Sequence, residues 1–192
     1  MDNLIEKIYE IDHSILLFIQ ENLRCPAITP IMDISSKLVN LGALWVIIGI
    51  TLLIFKKTRL LGMMTLSSLL LCLLINNVVI KNAVARARPF DTYNDLSPLI
   101  KKPWDSSFAS GHTTASFAAA GIFVRFTPRP IAVLSVVYAF MVAFSRLYLG
   151  VHYPTDVLCG MIIGVTGSMI IYYLYSKKFD LKEYSKQFRK AQ

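Results

Sequence analysis

Apolar residues run along this chain in unbroken blocks, without the strict alternation of a half-buried strand. Leu60 to Ile80 is 21 residues without a charge. At a helical rise of 1.5 Å per residue that run spans about 31 Å, the hydrocarbon thickness of a bilayer. Val157 to Tyr175 is a second uncharged run of 19, and Leu41 to Phe55 a third of 15. Ile34 to Val39 extends the third with one charge, Lys37. Between them, residues 111–126 are rich in Ala, Ser and Gly, the composition that lets helices approach closely in a bilayer. Thr127-Pro128-Arg129-Pro130 turns the chain into another apolar stretch. The pattern predicts five membrane spans, at about 32–55, 60–80, 111–126, 130–147 and 155–175.

Residues 3–23 read differently. Leu4, Ile5, Ile8, Ile11, Ile15, Leu16, Phe18 and Ile19 recur at helical spacing with charges between them. This predicts an amphipathic helix lying in the interface, with a sixth crossing as the alternative. Pro26 and Pro30 end it. The expected fold class is therefore all-α, a multi-pass transmembrane helical bundle. Its organisation is an N-terminal amphipathic segment (1–30), a transmembrane domain (31–176) and a basic tail (177–192).

Charge then orients the bundle. The net charge is +8, and the cations sit at the ends of apolar runs, which argues for membrane topology and against nucleic-acid binding. Lys56, Lys57 and Arg59, then Arg125 and Arg129, then Lys177 to Lys190 all fall on one side, the side predicted to be cytoplasmic with the C-terminus. No cleavable leader is evident in the first 24 residues, which are too charged. Cys25, Cys72 and Cys159 make no CxxC or Cys/His pattern, so neither a disulfide nor a zinc site is expected.

The other side collects different residues. Lys81 and Arg88 follow the second span, Ser110, Gly111 and His112 begin the third, Arg146 ends the fourth, and His152 and Asp156 open the fifth. Helix parity alone brings them to one face. A helix start offers unpaired N–H groups, which Ser110 could cap and Gly111 could leave open to close approach. Arginine presents a fork that suits phosphate oxygens. With two histidines, one imidazole can attack phosphorus and the other can protonate the leaving oxygen. His152 and Asp156 are four apart, and a carboxylate beside an imidazole fixes its tautomer. His152 is thus the better nucleophile and His112 the better acid.

Three fragments carry a resemblance. Lys81 to Pro89 resembles K-x6-R-P, Ala109-Ser110-Gly111-His112 resembles P-S-G-H, and Ser145 to Asp156 resembles S-R-x5-H-x3-D. Together, in this order, they are similar to the signatures of the type 2 phosphatidic acid phosphatase (PAP2) superfamily. Ala109 stands where the family has Pro. The resemblance implies metal-independent hydrolysis through a phosphohistidine, with no cofactor. His152 would be the nucleophile, Asp156 its orienting partner and His112 the proton donor. Lys81, Arg88, Ser110, Gly111 and Arg146 would hold the phosphate. The implied partners are a phosphorylated lipid and the bilayer. Undecaprenyl pyrophosphate is the leading candidate, then phosphatidylglycerophosphate or phosphatidate, reached from the extracytoplasmic side of a cell membrane. A non-catalytic anion- or lipid-binding or transport protein is the alternative. Oligomeric state has no signature in the sequence.

The remaining polar residues take bland readings. His13 is expected to contact headgroups or water, Arg86 to be headgroup-binding or solvated, and Asp91, Asp95 and Asp105 to serve loop solvation and turns. A metal set of Asp105, His112 and Asp156 lacks ligand spacing. Trp45 reads as packing, Trp104 as an interfacial anchor, and the basic tail as solvated near anionic lipid.

Overall fold

The computed structural model describes residues 2–189. Among them, eight helices of more than two turns form the scaffold: α1 Asp2–Asn22, α2 Thr29–Leu38, α3 Ala43–Ile54, α4 Arg59–Leu74, α5 Gly111–Phe126, α6 Arg129–Tyr148, α7 Pro154–Ser176 and α8 Leu181–Arg189. α4 continues through a π-helical stretch, Ile75–Ile80, into a last turn at Lys81–Val84. The fold class is all-α. Among the described residues, three helical runs are long and apolar enough to cross a membrane: Arg59–Thr92, Arg129–Tyr148 and Pro154–Ser176. α2 and α3 supply a fourth if the pair, bent by 46°, counts as one span.

That bend corrects the continuous span expected at 32–55. The chain breaks at Asn40-Leu41-Gly42, where Leu41 has φ 54° and Gly42 φ 73°. Glycine takes this left-handed conformation without a Cβ clash. The break turns Asn40 towards the start of α5, where it meets His112.

α5 is the central helix. Eleven of its residues are buried, among them Ala115, Ser116, Ala118, Ala119 and Ala120. It packs on α4, α6 and α7. Small residues set the spacing on both sides of its contact with α7. A Cβ placed on Gly164 would lie 2.6 Å from the Thr114 carbonyl oxygen and 2.8 Å from the Ala118 nitrogen. Neither backbone atom can yield. Gly164→Ala should therefore separate α5 from α7 and cost about 1–3 kcal/mol, the usual range for overpacking. A lowered unfolding midpoint in detergent is the expected readout, and an unchanged one would refute the close approach. Trp45 packs beside α5, with its indole N–H on Ser116 Oγ at 3.2 Å.

The outer surface is apolar. Ile47 and Ile50 of α3, Leu134 and Phe140 of α6, and Ile162 and Met169 of α7 are exposed, as lipid contact requires.

α1 lies across the site end of the bundle, nearest α6 and α7. Leu16 packs with Leu96 and Tyr153, and Ile19 with Phe90, Tyr148 and Leu149. His13 does not simply face headgroups or water. Its Nε2 is 2.9 Å from Asp95 and its ring stacks on Tyr93 at 4.1 Å. Asp95 is thereby a docking point for α1.

The tail is also more structured than a solvated run. In α8, Leu181 is buried and the Tyr184 hydroxyl donates to the Lys57 carbonyl at 3.0 Å. Ser185 donates to the Arg125 carbonyl at 3.2 Å. The tail and the two basic turns thus meet at one end of the bundle.

Candidate active site

A cavity of about 590 Å3 opens at the other end, and Lys81, Arg88, Gly111, His112, Arg146 and His152 all line it. All of them lie at or beside the ends of helices. Lys81 follows the π-helical stretch of α4. Such a widened turn often marks a functional site, and here it puts Asn77 on the cavity wall and buries Asn76, whose Nδ2 donates to the Ala109 carbonyl at 3.2 Å. Gly111 and His112 are the first two residues of α5. Arg146 lies in the last turn of α6, and His152 sits just before α7.

Asp156 and Ser110 lie behind this wall. Ser110 is fully buried and does not cap α5 with its side chain, correcting that expectation. Its N–H donates to the Asp156 carbonyl at 3.1 Å and its hydroxyl accepts from Thr113 at 3.0 Å. A Cβ on Gly111 would meet only ordinary contacts at 3.7 and 3.8 Å. The fold itself therefore does not demand glycine there.

His152 is 2 % exposed, drier than a helix-end histidine was expected to be. Its Nδ1 is 3.5 Å from Asp156 Oδ2 and 3.5 Å from Ser107 Oγ. Nδ1 faces the protein, which leaves Nε2 for the cavity. Burial pushes the imidazole pKa down to about 4, against the upward pull of Asp156. His152 is therefore neutral at pH 7, with a free lone pair. Asp156 Oδ2 also accepts from Ser107 Oγ at 2.5 Å and from the Tyr153 N–H at 2.9 Å, the latter at the N-terminus of α7. His112 Nε2 is 2.9 Å from Asn40 Oδ1. An amide oxygen only accepts, so Nε2 carries a proton in this pairing.

The cations are unequally satisfied. Lys81 is ion-paired with Asp105 Oδ2. Arg88 donates to Asp105 Oδ1 at 2.7 Å, to the Asp105 carbonyl at 2.8 Å and to the Val151 carbonyl at 2.6 Å. Burial alone would raise the Asp105 carboxyl, but Lys81 and Arg88 outweigh it and hold the pKa at about 2. Asp105 is thus no simple loop-solvation residue. It occupies the two cations that the sequence set aside for an anion. Arg146, 3 % exposed, donates from Nη1 to Ser36 Oγ, while its Nε is buried without a partner. No carboxylate pairs with it among the described residues.

Arg86 is the largest departure from expectation. Its side chain is 8 % exposed and bridges Asp12 and Asp156, each at 2.8 Å. No group of three or more His, Cys, Asp or Glu is placed to hold an ion among the described residues.

The profile of the PAP2 superfamily matches residues 56–180. The chain belongs to the PAP2 superfamily. The matched stretch carries all three motifs and every residue assigned to the cavity above. Within the superfamily the chain is 34 % identical over 120 residues to an undecaprenyl-diphosphatase of Sulfolobus acidocaldarius, covering 62 % of this chain and 58 % of that one. It is 32 % identical over 107 residues to a lipid A 4'-phosphatase of Bacteroides thetaiotaomicron, covering 53 % and 48 %. These matches span about half the length of the relatives. The PAP2-type phosphatidylglycerolphosphate phosphatase of Bacillus subtilis has a similar crystal structure, with TM-score 0.73, 27 % identity, and coverage of 90 % of this chain and 88 % of that one.

Sequence reasoning passed over Asn40, Ser36, Asn77 and Ser107. For the first three the signal was a polar residue inside an otherwise apolar run, since a bilayer segment rarely keeps an amide or hydroxyl without a partner or a task; Ser107, in the loop before α5, had no such signal.

Proposed function

We propose that this PAP2 protein hydrolyses a phosphate monoester or pyrophosphate on a lipid, through a phosphohistidine formed on His152. One observation carries the reading: Lys81, Arg88, Arg146, His112 and His152 line a single cavity, and the buried Arg146 has an unpaired N–H. A buried guanidinium with so few partners implies an anion.

The chemistry follows from the atoms. His152 Nε2 attacks phosphorus, and the bond from phosphorus to the lipid-side oxygen breaks. His112, doubly protonated once the phosphate dianion is bound, gives one proton to that oxygen, so a lipid alcohol leaves from a monoester and a lipid monophosphate from a pyrophosphate. Asp156 accepts Nδ1–H and steadies the charged ring. Lys81, Arg88 and Arg146 balance the charge on the equatorial oxygens, and Gly111 leaves room at the N-terminus of α5 for close approach. Water then attacks phosphorus, His112 takes its proton, the N–P bond breaks, and phosphate leaves with His152 restored. The incoming phosphate displaces Asp105 from Lys81 and Arg88.

The site opens extracytoplasmically in this reading, because Lys56, Lys57, Arg125, Arg129 and the tail mark the opposite end as cytoplasmic. Undecaprenyl pyrophosphate is the first candidate, supported by the Sulfolobus relative, with phosphatidylglycerophosphate and phosphatidate next.

The test is phosphate release by purified protein in detergent with each of these three lipids. Turnover should persist in excess EDTA, because fixed side-chain cations balance the phosphate charge. Loss of activity restored by a divalent ion would overturn this mechanism. No release from any of the three lipids would count against the reading itself.

A further inference from the structure

We propose that Asp12 and Arg86 are positioning residues for Asp156, which makes the N-terminal helix α1 a working part of the catalytic site. This rests on the phosphatase reading above and extends it to residues that the three motifs do not specify and to a helix outside the family match.

The geometry is a buried fork between two carboxylates. Arg86 Nη1 donates to Asp156 Oδ1 at 2.8 Å and to Thr155 Oγ1 at 2.7 Å, and Nη2 donates to Asp12 Oδ2 at 2.8 Å. Asp12 is 1 % exposed although it sits on a helix most of whose described residues are exposed. It accepts the Thr155 N–H at 3.0 Å and the Thr155 hydroxyl. It thereby supplies a partner to the first turn of α7, which carries Asp156, from a segment 143 residues away. The guanidinium lies over two rings, 3.7 Å from the centre of Tyr153 and 4.5 Å from that of Tyr9. One planar fork thus holds both carboxylates, Asp156 on Nη1 and Asp12 on Nη2.

The two oxygens of Asp156 have separate tasks. Oδ1 meets Arg86, while Oδ2 meets Ser107, the Tyr153 N–H and, at 3.5 Å, His152 Nδ1. Pinning Oδ1 fixes the direction of Oδ2. The contact to Nδ1 is already long for a hydrogen bond, so a small turn of the carboxylate would lose it. Charge works in the same direction. Without Arg86, Asp12 and Asp156 would be two buried carboxylates with no cation between them, and one would take a proton. A protonated Asp156 is a poorer acceptor for Nδ1–H.

The test uses the full chain in detergent micelles, with undecaprenyl pyrophosphate, phosphatidylglycerophosphate and phosphatidate presented in turn. Asp12→Asn keeps the shape and removes one charge. Arg86→Gln removes the cation, and Arg86→Lys keeps the charge but loses the fork. Expected are a fall in kcat of about 10-fold for Asp12→Asn and about 100-fold for Arg86→Gln, the range for groups that orient a reacting residue. Arg86→Lys should fall between them. KM should stay within about twofold throughout, because neither residue lines the cavity.

The double variant should be faster than Arg86→Gln alone, since it removes one of the two stranded carboxylates. If Arg86→Gln does not fold, Asp12→Asn and Arg86→Lys decide the matter by the same split of kcat from KM. Wild-type kcat in both of those, or losses that appear only in KM, would overturn the positioning role and leave the phosphatase reading standing. A wild type silent on all three lipids would overturn both.

Discussion

His152→Ala should abolish phosphate release, by about 10^4-fold or more, the scale of losing an attacking nucleophile. Three observations fix that expectation. The ring lines the cavity, Nδ1 is turned to Asp156 and Ser107, and burial keeps the imidazole neutral by holding its pKa near 4. A neutral ring can attack at pH 7, whereas a histidine with the ordinary value of about 6.5 would be partly protonated in mild acid. As pH falls through about 4, the free enzyme's ring gains a proton and attack stops. Folding should survive the substitution. Alanine removes a ring whose closest polar contacts are 3.5 Å long, and the space it leaves opens into the cavity. Phosphate release and the unfolding midpoint, measured on the same preparation, separate the two effects. Wild-type-like turnover would remove His152 from the mechanism, and loss of both quantities would make it a structural residue.

The parts of this molecule legible in the sequence are those with local causes. An uncharged run of 21 residues must be a buried or lipid-facing helix, and α4 begins and continues as Leu60 to Ile80 foretold. Helix parity was enough to gather Lys81, Arg88, Gly111, His112, Arg146 and His152, because each lies within a few residues of a helix end. The rest depended on contacts between distant segments. Arg86 reads as a spare cation until α1 brings Asp12 to it, 74 residues away, and α7 brings Asp156, 70 residues away. Asp105 reads as a turn residue until its loop folds back on Lys81 and Arg88. His13 and Asp95 were invisible for the same reason, being 82 residues apart. The break in the first span did have a local sign, Gly42, but a single glycine in an apolar run predicts a turn only weakly. The residues proposed to bind substrate were therefore the easier ones to find. Those that hold the binding residues in place came from the tertiary structure.

Arg146→Met should lower kcat/KM by about 10^2–10^3-fold, the usual effect of deleting one group that stabilises transition-state charge, while the unfolding midpoint holds or rises. The two signs have a common cause. Arg146 is 3 % exposed, its Nη1 meets Ser36 and its Nε meets nothing. In the absence of an anion the fold carries a buried charge that it does not satisfy, and a methionine of similar length removes that burden. Lys81 and Arg88 offer a contrast, because each holds Asp105. Deleting either would remove one of the two cations that a half-buried carboxylate holds and cost stability together with activity. Arg146→Lys keeps the charge and loses the planar fork, so its activity should lie between wild type and Arg146→Met. Thermal unfolding of both variants with and without inorganic phosphate completes the test. Phosphate should raise the wild-type midpoint more than that of Arg146→Met, since only the wild type can pair the free N–H. An unaltered rate in Arg146→Met, or a collapse of its midpoint, would show that this arginine serves the fold and not the phosphate.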